Sequence, residues 1–123
     1  MNTALWIAQG VLAVTFLVSG GMKLLRSREQ MARSMPVLED VGPGAFKMIG
    51  LAEVLGALGV VLPLWLGILP WLTPLAAAGL VLLMGGAIGA HLRRGEVAMS
   101  VPAWLLFLVA GFVAWGRWDL LAG

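Results

Sequence analysis

Long uncharged runs separated by short polar stretches dominate the chain. Residues 1–22 carry no charged side chain, and neither do residues 54–90. A helix of about 20 apolar residues spans the hydrocarbon core of a bilayer, so the first run predicts a transmembrane helix near residues 4–25. The second run is too long for a single crossing.

Helix-breaking residues divide the second run. Its middle, residues 63–70, contains two prolines and a glycine, a combination typical of a turn. We therefore expect a helical hairpin, with one helix near residues 45–62 and the next near 74–92. Thr73 and the proline after it are a typical start signal, with Thr as N-cap and Pro in the first turn. A fourth helix is predicted at residues 101–118.

Charged side chains concentrate in two connectors. Residues 26–44 hold six of them and end in a Gly-Pro-Gly sequence. Ser27 is predicted to cap a short interfacial helix that reaches Met35 and ends before the following proline. The second connector follows the third helix and contains two arginines and Glu96. The pattern predicts an all-α integral membrane protein, a compact bundle of four transmembrane helices with short connectors, as a single domain over residues 1–123.

The composition supports a lipid environment. The chain is 61% hydrophobic and only 11% charged, with a mean hydropathy of +0.99. A soluble domain of this length exposes too much surface for such a mixture, so the bilayer is the expected partner. The net charge of +2 does not indicate a nucleic-acid partner, because the basic residues lie in the connectors. The absence of cysteine excludes disulfides, thiolate metal sites and thiol redox chemistry by this chain alone.

The distribution of basic residues predicts an orientation. Seven of the eight lysines and arginines lie in or beside the two polar connectors, and only Arg117 lies elsewhere. By the positive-inside rule the connectors should be cytoplasmic and both termini non-cytoplasmic, in the cell (inner) membrane. Five of the six tryptophans fall at the opposite interface, as expected for an aromatic belt. These are Trp6, Trp65, Trp71, Trp115 and Trp118.

Glu53 is the residue that most needs explaining. It lies about 10 Å along the second helix from its cytoplasmic end, at 1.5 Å per residue. An ionised carboxylate at that depth is costly unless it is paired, hydrogen-bonded, hydrated or protonated. Two interpretations remain open: a proton, cation or ligand site, or an interhelical contact that holds the bundle together. Nearby glycines, including Gly50 and Gly56, predict close helix packing, so Glu53 should point into the bundle.

Other polar side chains converge on the same half of the membrane. Thr15, Ser19 and Lys23 are spaced by four and share one face of the first helix. Lys23 either extends to the headgroups or serves as the counter-ion of Glu53. His91 is either a hydrogen-bonded interfacial histidine or a titrating partner of Glu53, and as a lone histidine it predicts no metal site.

If these side chains meet, they form one polar pocket that opens toward the cytoplasm. We expect nearly all of the buried polar side chains to lie in this cytoplasmic half. Lys47 is expected to mark the lipid interface instead.

Three segments resemble the DoxX-like family of small four-helix membrane proteins. They are Ser-Gly-Gly-Met-Lys-Leu at residues 19–24, Ile-Gly-Leu-Ala-Glu-Val-Leu-Gly at 49–56 and Gly-Ala-His at 89–91. The resemblance covers nearly the whole chain and implies that its lysine, glutamate and histidine form a set. It also implies a link to thiosulfate and quinone oxidation, to oxidative-stress complexes or to receptor assembly. Without cysteine, any sulfur chemistry would need a partner subunit.

Two functional hypotheses follow. The first is an accessory or assembly subunit of a membrane redox or stress-related complex, with other membrane or redox subunits as partners. The alternative is a protein that binds or transports a small ligand, a quinone or protons as a homo-oligomer. No nucleotide-binding loop, zinc-ligand spacing or nucleophile–base pair is visible. The sequence therefore favours a non-enzymatic role, names no catalytic residue, and offers a quinone as the one cofactor to consider.

Overall fold

Four helical stretches are long and apolar enough to cross a membrane, as the hydrophobic pattern predicts. They are Asn2–Leu25, Pro43–Leu66, Leu72–Arg93 and Ala98–Gly116. The computed structural model describes residues 1–122, and within that range the chain is helical with no β-strand. The four-helix membrane bundle predicted from the sequence is confirmed.

Six α-helices and three short 3₁₀ helices make up these stretches and their connectors. The α-helices are α1 (Asn2–Leu25), α2 (Arg28–Ala32), α3 (Pro43–Gly59), α4 (Leu62–Leu66), α5 (Leu72–Arg93) and α6 (Val101–Gly116). The 3₁₀ helices are Pro36–Asp40, Ala98–Ser100 and Trp118–Leu121.

The second span is broken where a single helix over residues 45–62 was expected. The α3 helix ends at Gly59, and α4 begins after a two-residue break. Pro63 explains the break, because it has no backbone N–H and its ring would clash with the carbonyl of residue 59 in a continuous helix. The short α4 then ends at Gly67, which has a positive φ of 70°, the left-handed conformation that glycine adopts without a steric penalty.

The start of α5 also differs from the expectation that Thr73 caps it. The N-cap position is Trp71, and no side chain caps this helix. The backbone amide of Thr73 already donates to the carbonyl of Pro70 at 3.1 Å. Thr73 thus lies inside the first turn, whereas an N-cap residue has a non-helical backbone.

The first connector folds against the end of the bundle. Ser27 caps α2 through a capping box with Gln30, as its position after α1 predicts, but α2 ends at Ala32 and does not reach Met35. The following 3₁₀ helix buries Val37 and Leu38 against Phe46 at the start of α3. The connector therefore covers this end of the bundle with apolar side chains.

The four spans form a ring in which each packs against the next, and α6 closes the ring against α1. The closest pairings are α1 with α3 and α5 with α6. We call the end that holds residues 26–42 and 94–100 the connector end, and the opposite end, where α1 begins and α6 ends, the terminal end. The interior of the terminal end is filled by buried side chains. They include Leu12, Val60, Ala77, Ala110 and Val113.

Candidate functional site

A buried ion pair joins α1 to α3 near the connector end. Lys23 Nζ lies 2.6 Å from Glu53 Oε1, and it also donates to Ser19 Oγ at 2.8 Å. Only 7% of Lys23 and 2% of Glu53 is exposed. We call these three residues the Lys23–Glu53 cluster. Of the two interpretations of Lys23, the structure shows the counter-ion and not the side chain extended to the headgroups.

Two glycines allow the helices to approach closely enough for this contact. A Cβ atom added to Gly20 would lie 2.6 Å from the carbonyl oxygen of Gly50 and 2.9 Å from the amide nitrogen of Val54. A Cβ atom added to Gly50 would lie 2.8 Å from Cβ of Lys23. Small residues at such crossings let two backbones touch. Gly50, one of the glycines predicted to favour close packing, therefore acts together with Gly20 to bring the two charged side chains together.

Lys47 holds the end of α1 beside the ion pair. Its Nζ donates to the carbonyls of Lys23, Leu24 and Arg26 at 2.8, 3.1 and 2.7 Å. The last carbonyls of a helix have no partners within it, and a cation there also interacts favourably with the helix dipole. Lys47 therefore positions the turn that carries Lys23, a role that its expected place at the lipid interface does not include.

A cavity of about 720 Å³ lies between the spans at this end of the bundle. Its lining comes from α1, α3, α5, α6 and the first connector, and most of it is apolar. Gly86 and Pro102 line the cavity and are also exposed, so it communicates with the outer surface of the bundle. All five side chains singled out from the sequence line it. They are Thr15, Ser19, Lys23, Glu53 and His91.

His91 contacts a different carboxylate from the one expected. Its Nδ1 lies 3.0 Å from Glu96 Oε1, and no ion pair between His91 and Glu53 is present in residues 1–122. Arg94 binds the other oxygen of Glu96 at 3.2 Å and also binds Asp40 of the first connector at 3.2 Å. The hydrogen bond from His91, together with the guanidinium of Arg94, lowers the pKa of Glu96 below its ordinary value. His91 thus links the cavity wall to the charged network of the connectors.

A second polar cluster, at the terminal end, was missed by the sequence analysis. Gln9 is fully buried, donates through Nε2 to the carbonyl of Val60 at 2.7 Å and accepts from Nε of Arg117 at 2.8 Å. The guanidinium of Arg117 also lies over the ring of Trp6 at 5.4 Å. We call Gln9, Arg117 and the Val60 carbonyl the Gln9–Arg117 cluster.

The position of this cluster corrects the expectation that nearly all buried polar side chains lie in the other half of the bundle. The sequence did contain an indication of this cluster. Gln9 is a lone amide in an otherwise uncharged run, and such a side chain needs a hydrogen-bond partner inside the membrane. The chain-distant partner, 108 residues away, could not be identified from helix spacing.

The family model of the DoxX-like family matches residues 7–113. The chain belongs to the DoxX-like family. The match begins in α1 and ends in α6, so it contains Lys23, Glu53 and His91 as well as Gln9. Comparison with curated proteins and with solved structures found no match.

The polar end of the cavity in this DoxX-like bundle is incompletely hydrogen-bonded. In residues 1–122, the second carboxylate oxygen of Glu53, Oε2, receives no hydrogen bond. In the described chain, Oε2 is not one of the polar atoms that are both fully enclosed by protein and without a hydrogen-bond partner. Glu53 also lines the cavity. A carboxylate oxygen left open in this way is a strong acceptor for a molecule inside the cavity.

Proposed function

We propose that this DoxX-like protein binds a small lipid-soluble molecule in the cavity beside Lys23 and Glu53. The observation that carries the proposal is the cavity itself, about 720 Å³ in volume with a buried ion pair in its wall. Ligand pockets are commonly about 300–1,000 Å³, mostly apolar, and contain a few polar groups that orient the ligand. This cavity has both properties.

The two parts of the lining favour an amphipathic molecule. Leu83, Met84 and Leu106 supply apolar wall from α5 and α6, while the Lys23–Glu53 cluster and His91 supply polar groups. A ligand with an apolar body and one polar group would place the body along α5 and α6 and the polar group near Glu53. A quinone carried by the bilayer is one molecule of this kind, and the sequence analysis named it as the one cofactor to consider.

The closed terminal end favours binding over conduction. Beyond the cavity the interior is filled by Leu12, Ala110 and Val113, each with 0% exposure. The Gln9–Arg117 cluster lies past this apolar layer and does not contact the Lys23–Glu53 cluster. Polar groups therefore do not form a continuous chain across the described bundle, as a path for protons or ions would need.

Ligand binding is compatible with the accessory-subunit hypothesis, since such a subunit could hold a lipid-soluble molecule for a partner. The cavity moves the ligand-binding hypothesis ahead of a purely structural role. We also propose that the connector end faces the cytoplasm in the cell (inner) membrane, as the seven basic residues at or near that end indicate. A ligand would then bind within the inner half of the bilayer.

Photolabelling in lipid nanodiscs tests the proposal directly. The probe is a long-chain alcohol carrying a diazirine, and mass spectrometry of the cross-linked peptides locates the label. We expect saturable labelling of the cavity-lining parts of α5 and α6, reduced by an excess of the same alcohol without the diazirine. Ala87 lines the cavity, so Ala87→Phe should fill part of it and remove most of this labelling.

Ala52→Phe is the matched control. Ala52 is exposed on α3 and lines a groove between α3 and α5. This groove shares Leu82 and Leu83 with the cavity but does not include Lys23, Glu53 or His91. The same change in size there should leave labelling of the cavity unaltered. Equal labelling in the Ala87→Phe and Ala52→Phe proteins would contradict the proposal, as would labelling that is spread evenly over the lipid-facing surfaces.

A further inference from the structure

We infer that the polar end of the ligand carries a hydroxyl group, held between Glu53 and Lys23. The inference rests on the proposed function and adds the functional group that the cavity would recognise. It follows from the hydrogen-bonding capacity that the residues around the cavity leave unused.

Glu53 places the strictest requirement on the polar group of the ligand. Its Oε1 contacts Lys23 at 2.6 Å, while Oε2 has no hydrogen bond in the described chain, and the residue lines the cavity. An ionised carboxylate only accepts hydrogen bonds, and a buried acceptor without a donor is costly. A ligand group that fits this position must therefore donate a proton to Oε2. Ethers and carbonyls instead bring their lone pairs toward it, so a quinone would fit this position in its reduced form, the quinol, which carries hydroxyl groups.

Lys23 supplies the complementary group. Its ammonium has three protons, and the structure gives two partners for them, Ser19 Oγ and Glu53 Oε1. The remaining proton can reach an acceptor on the ligand, because Lys23 also lines the cavity. A hydroxyl both donates and accepts, so one hydroxyl satisfies Glu53 and Lys23 together. A ligand ammonium would donate to Glu53 but would be repelled by the charge of Lys23.

His91 adds a second polar group to the same wall. Glu96 is bound to Arg94 and is outside the spans, and its lowered pKa keeps it ionised at neutral pH. Since an ionised carboxylate accepts only, Nδ1 of His91 carries the proton that it donates to Glu96. The other ring nitrogen, Nε2, has no hydrogen bond within residues 1–122 and is left for a polar group of the ligand. A second hydroxyl on the ligand would find its partner there.

The test compares molecules that differ only in the hydroxyl proton. Para-decylphenol and its methyl ether compete with the diazirine alcohol for the cavity of the full-length protein in nanodiscs. We expect the phenol to compete about tenfold or more better than the ether, since one hydrogen bond to a charged group accounts for such a difference. A second pair, decanol and its methyl ether, shows whether an aromatic or an aliphatic hydroxyl compound is preferred.

Two variants test whether the preference for the phenol over its ether depends on the Lys23–Glu53 cluster. In the double variant Lys23→Met/Glu53→Met no unpaired charge remains, and the phenol and ether should compete equally. Glu29→Gln removes an exposed carboxylate that does not line the cavity, and it should leave the preference for the phenol unchanged. Neither variant is needed for the main comparison, which uses the unchanged protein.

The outcomes separate this inference from the proposed function. Equal competition by the phenol and the ether in the unchanged protein would overturn the hydroxyl assignment while leaving a ligand cavity. A preference that persists undiminished in the folded double variant would also overturn it. If none of the four compounds competes and the cavity is not labelled, the proposed function itself fails.

Discussion

The two polar clusters of this bundle differ in the surroundings of the polar atom that each leaves without a hydrogen bond. At the terminal end, Gln9 uses both halves of its amide, one for the Val60 carbonyl and one for Arg117, while Nη2 of Arg117 has no partner and is enclosed by the protein. At the connector end, Glu53 pairs through one oxygen and leaves the other beside a cavity of about 720 Å³. An atom without a partner inside a filled interior is out of reach of a ligand, whereas one on a residue that lines a cavity is available to it. This difference distinguishes a contact that holds helices together from one that can bind a ligand.

The clusters also differ in electrostatic cost. The Gln9–Arg117 cluster takes only the one charge of Arg117 partly out of water. A buried ion pair takes two charges out of water and loses hydration that its own attraction barely offsets. Holding α1 against α3 does not require charge, because Gly20 and Gly50 already let the backbones touch. The charged pair at the connector end is therefore better explained by a binding role than by adhesion alone.

Removing one member of the ion pair is expected to have the largest effect on stability. Glu53→Gln leaves Lys23 buried without its counter-ion, which should lower the free energy of unfolding by about 3–5 kcal/mol. The double variant Lys23→Met/Glu53→Met should be much closer to the unchanged protein, because neither charge remains. Equilibrium unfolding in mixed detergent micelles measures both.

Glu29→Gln is the control for loss of a carboxylate. Glu29 pairs with Arg28 at 3.1 Å, but 64% of its side chain is exposed. Water and salt screen exposed pairs, so this change should have little effect. If the double variant of the ion pair is as unstable as Glu53→Gln, the cluster is mainly structural and the contrast with the terminal end disappears.

The crossing of α1 and α3 should be the next most sensitive point. In Gly20→Ala the new methyl group would collide with the backbone of Gly50 and Val54. The helices can relieve the clash only by separating, which also stretches the Lys23–Glu53 contact. Overpacking typically costs about 1–3 kcal/mol, and a clash with backbone atoms belongs at the upper end of that range.

Gly21→Ala is a closely matched control, since it lies one residue further along the same helix. No described atom lies within 4 Å of a Cβ atom added there, beyond the neighbouring helix backbone. Alanine favours helices over glycine, so unfolding measurements should show no loss and a small gain. Equal losses in both variants would mean that helix propensity, and not the close crossing, controls stability here.

The sequence predicts the bundle well because the bilayer imposes a simple length rule on uncharged runs. The pairing of Lys23 with Glu53 was one of two interpretations of Lys23, since helix spacing places a side chain on a face but does not choose its partner. The break at Gly59 follows from Pro63, yet the proline alone does not indicate whether the span stops or continues as a second short helix.

The cavity could not be predicted, because it depends on how far four helices stand apart. Its walls include residues from the first connector, such as Val37 and Leu38, whose fold against the bundle no hydrophobic period reveals. His91 was considered as a partner of Glu53. Glu96 lies only five residues after His91, on the following turn, and the imidazole contacts Glu96 instead. Local contacts after a helix end are hard to rank against distant ones from a single sequence.

Disrupting the Gln9–Arg117 cluster should have the smallest effect on stability. It also gives the sharpest test of the comparison between the two clusters. Gln9→Leu leaves the Val60 carbonyl and one nitrogen of Arg117 without their partner, which should lower the free energy of unfolding by about 1–3 kcal/mol. Val11→Leu, at an exposed position two residues away, should have almost no effect in the same unfolding assay. Labelling of the cavity by the diazirine alcohol should be unchanged in folded Gln9→Leu protein, because the filled layer around Leu12 and Val113 separates the two clusters. Loss of labelling in that variant would show that the two ends of the bundle are coupled. The hydrogen bonds of a contact would then no longer be enough to tell whether it is structural or binds a ligand.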